Sequence, residues 1–331
     1  MVGMRKRKPY MTDLTDAQWA ALKPHLPPDK PRGAPRTVDL REILNALLYL
    51  ARTGCQWRLL PHDFPPWQTV YQYFSHCRDD GTWERLNREL RIEVRQTVGK
   101  EDEPSAAILD SQSVKSTETG GARGYDAGKK IKGIKRHLLV DTLGLVLMVV
   151  VLTADIQDRD GARHLLAKVK GLYPRLQKVW ADGGYAGQLV GWVKTVCGWV
   201  LEIVKRSDAA HEFKVVHWRW IVERTLGWLN RWRRLSKNYE RCPASSEALV
   251  YISMIGVMSK RLAVWQVDLA YYGTPCRTAS VCREFGARHD DLGVNSRGSA
   301  VLRLAVRDRQ VAISQTGSQN RRCALPAPPP T

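Results

Sequence analysis

Acidic residues are scarce in this chain. Only 33 Asp and Glu stand against 52 Lys and Arg in 331 residues, a formal net charge of +19. Long apolar runs are missing too. The longest, Leu145–Leu152, covers eight residues, far short of the ~20 that a membrane-spanning helix needs. No apolar stretch follows the basic start MVGMRKRKPY, so no secretory leader is expected. The seven cysteines (55, 77, 197, 242, 276, 282, 323) form no CxxC pair and no Cys/His cluster at zinc spacing. Scattered and odd in number, they read as reduced thiols of a cytoplasmic protein. Phosphate loops, dinucleotide fingerprints, the GxSxG elbow and the HExxH zinc helix are all absent, and Ser111 and Ser113 lack a nearby base. What remains is a chain with 44% hydrophobic residues, enough for a sizeable core, and an excess of positive charge that calls for a polyanion. No basic amphipathic helix with a clean apolar face favours a membrane surface, so nucleic acid is the expected partner.

Residues 1–100 read as helical. Thr15 and Gln18 form a capping box ahead of Trp19, Leu22 and Leu26. Asp39 and Glu42 start a second helix that stops at Gly54, Pro65-Pro66 opens a third over Trp67–Cys77, and Thr82 caps a fourth to about Val98. Short helices with Gly- or Pro-marked turns fit a helix-turn-helix unit or a plain small bundle equally well. The acidic stretch 101–106 is the hinge. Beyond it the spacing predicts strands at Ala107–Asp110, Ile134–Val140 and Leu145–Thr153, a helix over Asp158–Gly171, a strand at Gln177–Asp182, a helix over Gly187–Val196, a strand at Trp199–Val204, and helices over Val216–Leu235 and Glu247–Leu262. The order β-β-β-α-β-α-β-α implies a mixed α/β sheet flanked by helices, residues 101–263. Residues 264–331 carry nine arginines and no lysine, although the first 263 residues hold all eighteen lysines. That stretch reads as a disordered tail, either a nucleic-acid-binding arm or the product of a shifted or extended frame.

Three carboxylates stand out by placement: Asp110 in AAILDSQSVK, Asp182 before a Gly-Gly turn in VWADGGY, and Glu223 on the helix RWIVERTLGWLNRWRRL. Asp is a poor strand former, so an Asp at a strand end earns its place where a site needs a hard oxygen ligand. Mg²⁺ is held by one or two carboxylates plus phosphates and waters, and a pair of such ions serves phosphodiester cleavage. Each residue alone has an ordinary reading: Asp110 as a turn cap, Asp182 as a β-turn Asp, Glu223 as an exposed partner of Arg219. Their joint position in this element order raises the metal-site reading above those. On the helix over Val216–Leu235, Ile221, Trp228, Trp232 and Leu235 share one face, and Arg219, Glu223, Gly227, Asn230 and Arg234 the other, which suits a place where metal and DNA phosphate meet. A second basic stretch puts five cations into residues 129–136. Lys129, Lys130, Lys132, Lys135 and Arg136, with His137 beside them, fit a phosphate-contacting loop or a solvated hairpin. Tyr185 stacks on a base or closes the core.

The strings LTDAQWAALKPHLP, ILNALLYLARTGCQWRLLPHDFPPWQTVYQYF, LDSQSVKSTETGG, GYDAGKKIKGIKRHLLVDTLGL, ADGGYAG and WIVERTLGWLNRWRRLSKNYE resemble a bacterial insertion-sequence transposase, family five, of the DDE class. The resemblance spans about Met11 to Ala263. It implies an RNase H-like catalytic domain, catalytic and metal-binding carboxylates at Asp110, Asp182 and Glu223, two Mg²⁺ ions with Mn²⁺ as a substitute, and cleavage of the element's ends followed by joining of the 3′-OH to target DNA. It also implies that the helical N-terminal part binds the terminal inverted repeats, that a homodimer or larger assembly forms on DNA, and that the protein works in the bacterial cytoplasm at the nucleoid. The family's Arg four residues before the glutamate is Arg219. Its Tyr and its later basic residue fall on Val216 and Asn230, with Arg231 next door, so the sequence departs from the family there. DNA contacts are expected from Lys129, Lys130, Lys132, Lys135, Arg136, His137, Arg219, Arg231 and Arg234. A copy that has lost catalysis and only occupies its ends is the competing reading.

Overall fold

The computed structural model describes residues 7–28, 36–118, 121–204 and 218–272, with 265–272 as helix backbone alone. Val216, most of the loop after Pro28 and most of the tail lie outside the described residues. Four helices come first. α1 (Asp16–Leu22) begins at the expected capping box: Thr15 accepts from the Gln18 amide at 3.2 Å, and Gln18 reaches back to the Thr15 amide at 2.9 Å. α2 (Leu40–Thr53) is capped by Asp39 and ends at Gly54, whose φ of +75° suits glycine and whose missing side chain admits Arg233, 3.2 Å from where a Cβ would stand. α3 (Trp67–Asp79) and α4 (Thr82–Thr97) follow. Gly81, not Thr82, is the cap of α4, and the Asp80 side chain accepts the Thr82 amide.

The sheet has six strands: β1 (Ala106–Lys115), β2 (Gly124–Asp126), β3 (Ile131–Asp141), β4 (Val146–Thr153), β5 (Lys178–Ala181) and β6 (Val200–Ile203). They run in the order β2-β3-β1-β5-β6, with β4 also paired to β3. β3 is antiparallel to β1, β2 and β4, while β1, β5 and β6 are parallel. The short β2 was not expected, and a side chain at its Gly124 would collide with Asp155. α5 (Asp158–Val169) crosses from β4 to β5. α6 (Gln188–Trp192) ends in a π turn over Val193–Cys197, where a single longer helix was expected.

The expected helix over Val216–Leu235 is broken. α7 covers Arg219–Asn230 and α8 covers Arg233–Ser236. Between them Trp232 turns inward, 6% exposed, and lies so close to Gly256 that a Cβ there would stand 2.7 Å from its ring. α9 (Pro243–Tyr272) continues past residue 263 into the stretch read as tail.

Both faces of the sheet are covered. On one side Ile108, Leu138 and Val149 join a core with Leu22, Leu47, Phe74, Leu90 and Met254. On the other, Leu109, Leu139 and Val179 pack against Leu165 and Leu201. The N-terminal helices thus share one hydrophobic core with the sheet and α9, across the change of element type at residue 100. Polar groups pin this junction: Arg95 meets Asp141 at 2.6 Å, and Asn87 donates to the Val146 carbonyl at 2.9 Å. α9 also covers the edge of β4, where Glu247 accepts the Val151 amide at 2.9 Å, which blocks strand addition there.

Candidate active site

The expected carboxylates come from three elements that the sheet order brings together. β1 and β5 are parallel neighbours with Ala106 opposite Lys178 and Ile108 opposite Trp180. Two residues further along each chain stand Asp110 and Asp182, near enough for the Asp182 charge to act on Asp110. Asp110 lies inside β1, which runs on to Lys115. Asp182 lies just past β5, and its Oδ1 accepts the Gly184 amide at 2.9 Å, opening a 3-10 turn over Gly183–Tyr185. That bond is the local reason for the Gly-Gly pair.

Glu223 lies one turn into α7. Arg219, one turn earlier, places the same Nη2 3.4 Å from Glu223 Oε1 and 3.8 Å from Asp182 Oδ2. Those two oxygens are therefore no farther apart than the two lengths laid end to end. The start of α7 is held to β5 by aromatic stacking. Trp218 and Trp180 lie face to face, ring centres 4.7 Å apart and 10° from parallel. Trp218 has a φ of +72°, a strained setting for a bulky residue. Farther along α7, Gln112 of β1 donates to Asn230 at 3.0 Å. The helix is thus fixed along β1, and Glu223 points to the side where Asp110 and Asp182 lie.

Burial pushes the Asp110 carboxyl up to about 6. The Asp182 charge adds to that rise, while the Ser111 amide, Arg219 and Lys129 oppose it. The Ser111 amide donates to Asp110 Oδ1 at 2.7 Å. Behind the site Tyr185 is buried, 1% exposed, so it closes the core and presents no ring to a base. Among the described residues no group of three or more His, Cys, Asp and Glu is close enough to hold a metal ion. Asp110 and Asp182 are near each other, and Asp182 and Glu223 share Arg219, but the three do not form a closed cage.

Two family models match the chain. One, described as "Putative transposase of IS4/5 family", covers residues 14–87, and the other, "Transposase DDE domain", covers residues 101–257. A relative from Burkholderia cepacia, "Insertion element IS402 uncharacterized 16.2 kDa protein", is 28% identical over 113 residues, which is 32% of this chain and 76% of that protein. The chain belongs to the DDE-class insertion-sequence transposases. No solved structure matches it.

The basic residues of this transposase divide into two groups. Lys129, Lys130, Lys132 and Arg231 are exposed. Lys135, Arg136, His137 and Arg234 are not: they are 5%, 1%, 0% and 6% exposed. In this fold all four side chains are turned into the protein rather than presented to solvent, where they were expected. From Gly133 on, β3 is buried, so its later cations find partners inside. Lys135 pairs with Asp158 at 3.0 Å and Asp126 at 3.4 Å. Arg136 donates to the Leu235 carbonyl at 2.7 Å. The His137 ring lies over Gly161, where any side chain would collide with it. Arg234, swung inward by the break after α7, pairs with Glu240 at 2.7 Å and donates to the Cys55 carbonyl at 3.0 Å. Arg219 is engaged with the carboxylates. The Lys135–Asp126–Asp158 cluster and the Trp180–Trp218 stack went unread in the sequence. Their members lie far apart along the chain, and only the strand pairing joins them. The one local signal is that Asp158 opens a predicted helix.

Among the described residues no helix is long and apolar enough to cross a membrane.

Proposed function

We propose that this transposase cuts the ends of its element and joins the freed 3′-OH to target DNA at Asp110, Asp182 and Glu223, in a catalytic part with an RNase H-like fold. The observation that carries the reading is the parallel pairing of β1 with β5, which brings Asp110 and, just past β5, Asp182 near each other, with Arg219 linking Asp182 to Glu223. The strand order β4-β3-β1-β5-β6, three antiparallel strands followed by parallel ones, supports the fold assignment.

The donor set fits a divalent metal. All three side chains offer hard carboxylate oxygens, and Asp110 is driven toward neutrality by burial and by Asp182 beside it. A cation is what such a pair favours. Asp110 and Asp182 would hold two Mg²⁺ ions between them, with Mn²⁺ as a substitute, and Glu223 would complete one shell. The chemistry such ions would supply is a lowered pKa for an attacking water or hydroxyl and charge stabilisation of the leaving oxygen. The protein's own groups do the rest. β1 and β5 set the spacing of the two aspartates, the Trp180–Trp218 stack fixes where α7 begins, and Arg219 offsets the negative charge of the site. Lys129, Lys130, Lys132 and Arg231 supply cations for the phosphate backbone. The helical residues 1–100 read the terminal inverted repeats, and two ends are brought together by at least a homodimer on DNA.

The test uses the full-length protein with Mg²⁺ and duplex oligonucleotides tiled across the DNA that flanks its reading frame. Asp110→Asn, Asp182→Asn and Glu223→Gln should each lower cleavage and strand transfer by roughly a hundredfold or more, with DNA binding retained. Strand transfer at the unaltered rate in any of the three overturns the site. Cleavage by none, the unaltered protein included, favours a non-catalytic occupant of the ends.

A further inference from the structure

Strand β3 carries an ammonium group where a strand covered on both faces has little use for one. Lys135 is 5% exposed. Its Nζ lies 3.0 Å from Asp158 Oδ1 and 3.4 Å from Asp126 Oδ2, and it donates to the Ile156 carbonyl at 2.8 Å. Both carboxylates reach onward to β1. Ser111 donates to Asp158 Oδ1 at 2.9 Å, and Ser113 donates to Asp126 Oδ2 at 2.6 Å. Asp126 has a third engagement, since its Oδ1 accepts the Lys129 amide at 3.0 Å and closes the turn between β2 and β3. The next residue, Lys130, adopts a left-handed φ of +53°. One cation thus ties together the β2–β3 turn, the loop ahead of α5, and β1 at the residue that follows Asp110.

All three segments border the proposed cutting site. Ser111 supplies the amide bonded to Asp110. Lys129, on the turn that Asp126 closes, is near enough for its charge to act on Asp110 and on Asp158. A buried charge satisfied by two carboxylates and a carbonyl has one geometry, and so have the segments it holds.

We infer that Lys135 is a positioning residue for DNA cutting, a clamp that fixes the Lys129 turn and the Ser111 backbone on either side of Asp110. This rests on the function proposed above. Lys135 touches no DNA. It acts through Asp126 on the orientation of Lys129, and through Asp158 and Ser111 on β1. Misplacing a reacting group by about 1 Å from a distance costs on the order of a hundredfold in rate, so a loosened turn should appear in turnover before it appears in binding.

The experiment measures initial cleavage rates against concentration of the same flanking duplexes, in Mg²⁺, for the full-length protein and for Lys135→Met, Lys129→Ala and the double variant. Lys135→Met is expected to lower kcat by roughly thirtyfold and to leave KM for DNA within about threefold. Lys129→Ala should cost about tenfold in the unaltered protein and less than about threefold in the Lys135→Met background, because the turn it acts from is already loose. Amide exchange of the segment 124–133 should quicken in Lys135→Met while that of α9 stays unchanged. A kcat within about threefold of the unaltered protein, or an equal Lys129→Ala loss in both backgrounds, overturns the inference. Should Lys135→Met not fold, Asp126→Asn carries the test. It leaves the Lys135–Asp158 pair in place and is expected to lose about tenfold in kcat, and an unchanged rate overturns the proposal. Asp182→Asn separates the two claims. If it is inactive while Lys135→Met cuts normally, only the clamp falls; if it cuts normally, the site assignment falls.

Discussion

Strand β3 has a buried charge near each end, and the two ends are built differently. At its C-terminal end Asp141, fully buried, faces Arg95 of α4 in a single pair at 2.6 Å and also accepts the Leu143 and Leu145 amides of the following turn. Toward its N-terminal end Lys135 faces two carboxylates, each with a further bond to β1. Both lie three residues along β3 from Leu138, the partner of Asp110, but the first arrangement joins a helix to the sheet. The second joins loops around the proposed cutting site. Buried ion pairs are weak evidence for net stability, yet removing one partner is costly because the other charge is left stranded. The same device should therefore be read out in different ways at the two ends, in folding at Asp141 and in turnover at Lys135.

The largest effect expected from breaking that symmetry is on stability at the C-terminal end. Arg95→Met leaves Asp141 buried without its cation and should destabilise the fold by about 3–5 kcal/mol, seen as a lower urea midpoint at unchanged slope. Asp141 keeps two backbone donors, which places the expectation toward the lower part of that range. A loss under about 1 kcal/mol would mean that the pair is no more than a surface bridge, and the contrast between the ends would lose its stability half.

Between the ends lies His137, which has neither a cation's partners nor a solvent path. Burial pushes its pKa down to about 4; Asp158 opposes the shift, while Lys135, Lys129 and His164 add to it. The unfolded chain takes up a proton near pH 6.5 and the folded one refuses it until about 4. Stability from this group is thus full above pH 6.5 and falls toward pH 4, by about 1.4 kcal/mol per unit and about 3 kcal/mol in all. His137→Leu should flatten that part of the pH–stability curve. The Lys135 end should not contribute to the same window. Burial favours the neutral form of Asp126, but the Ser113 hydroxyl, the Lys129 amide and Lys135 together bring its pKa down to about 2, so its share is present above the ordinary carboxylate range and lost only as pH falls through 2.

Much of this was legible along the chain, and the exceptions share one cause. Thr15 with Gln18, Asp39, Gly54 and the Gly-Gly pair after Asp182 announce local structure by local chemistry, and each stands where the spacing placed it. The carboxylates were legible as candidates by their context. Their approach was not, because it depends on β1 and β5 being parallel neighbours and on α7 being anchored by Trp180 and Trp218. The burial of Lys135, Arg136 and His137 was not legible, because five cations in residues 129–136 look solvated in a string. In the fold the strand passes under α5 on one face and beside α8 on the other. The break after α7 was hidden for a similar reason: Trp232 continues the apolar face of a helix on paper, and Gly256, on a distant element, receives it.

A smaller test concerns the helical part. Thr15→Ala removes one half of the box that starts α1 and should cost about 1 kcal/mol, roughly a third of the Arg95→Met loss. Because the box is local and partly exposed, the two losses should add when combined, whereas coupled losses would tie the α1 cap to the Arg95–Asp141 pair.

The finest distinction lies between two lysines three residues apart on β3. Lys132 is exposed and Lys135 is buried. A lysine that meets a phosphate releases a counterion on binding, so its removal lowers the slope of log affinity against log salt by about one. Lys132→Ala should show that change in a titration of flanking duplex between low and moderate salt, with affinity at low salt reduced severalfold and unfolding unaffected. Lys135→Met should leave the slope unchanged, since its ammonium is matched to Asp126 and Asp158 in the protein with or without DNA. If both variants shift the slope equally, Lys135 reaches phosphate after all, β3 must open when DNA binds, and the division of this strand into an outward and an inward cation fails. If neither does, the phosphate-facing charges of the hairpin reduce to Lys129 and Lys130 on the turn.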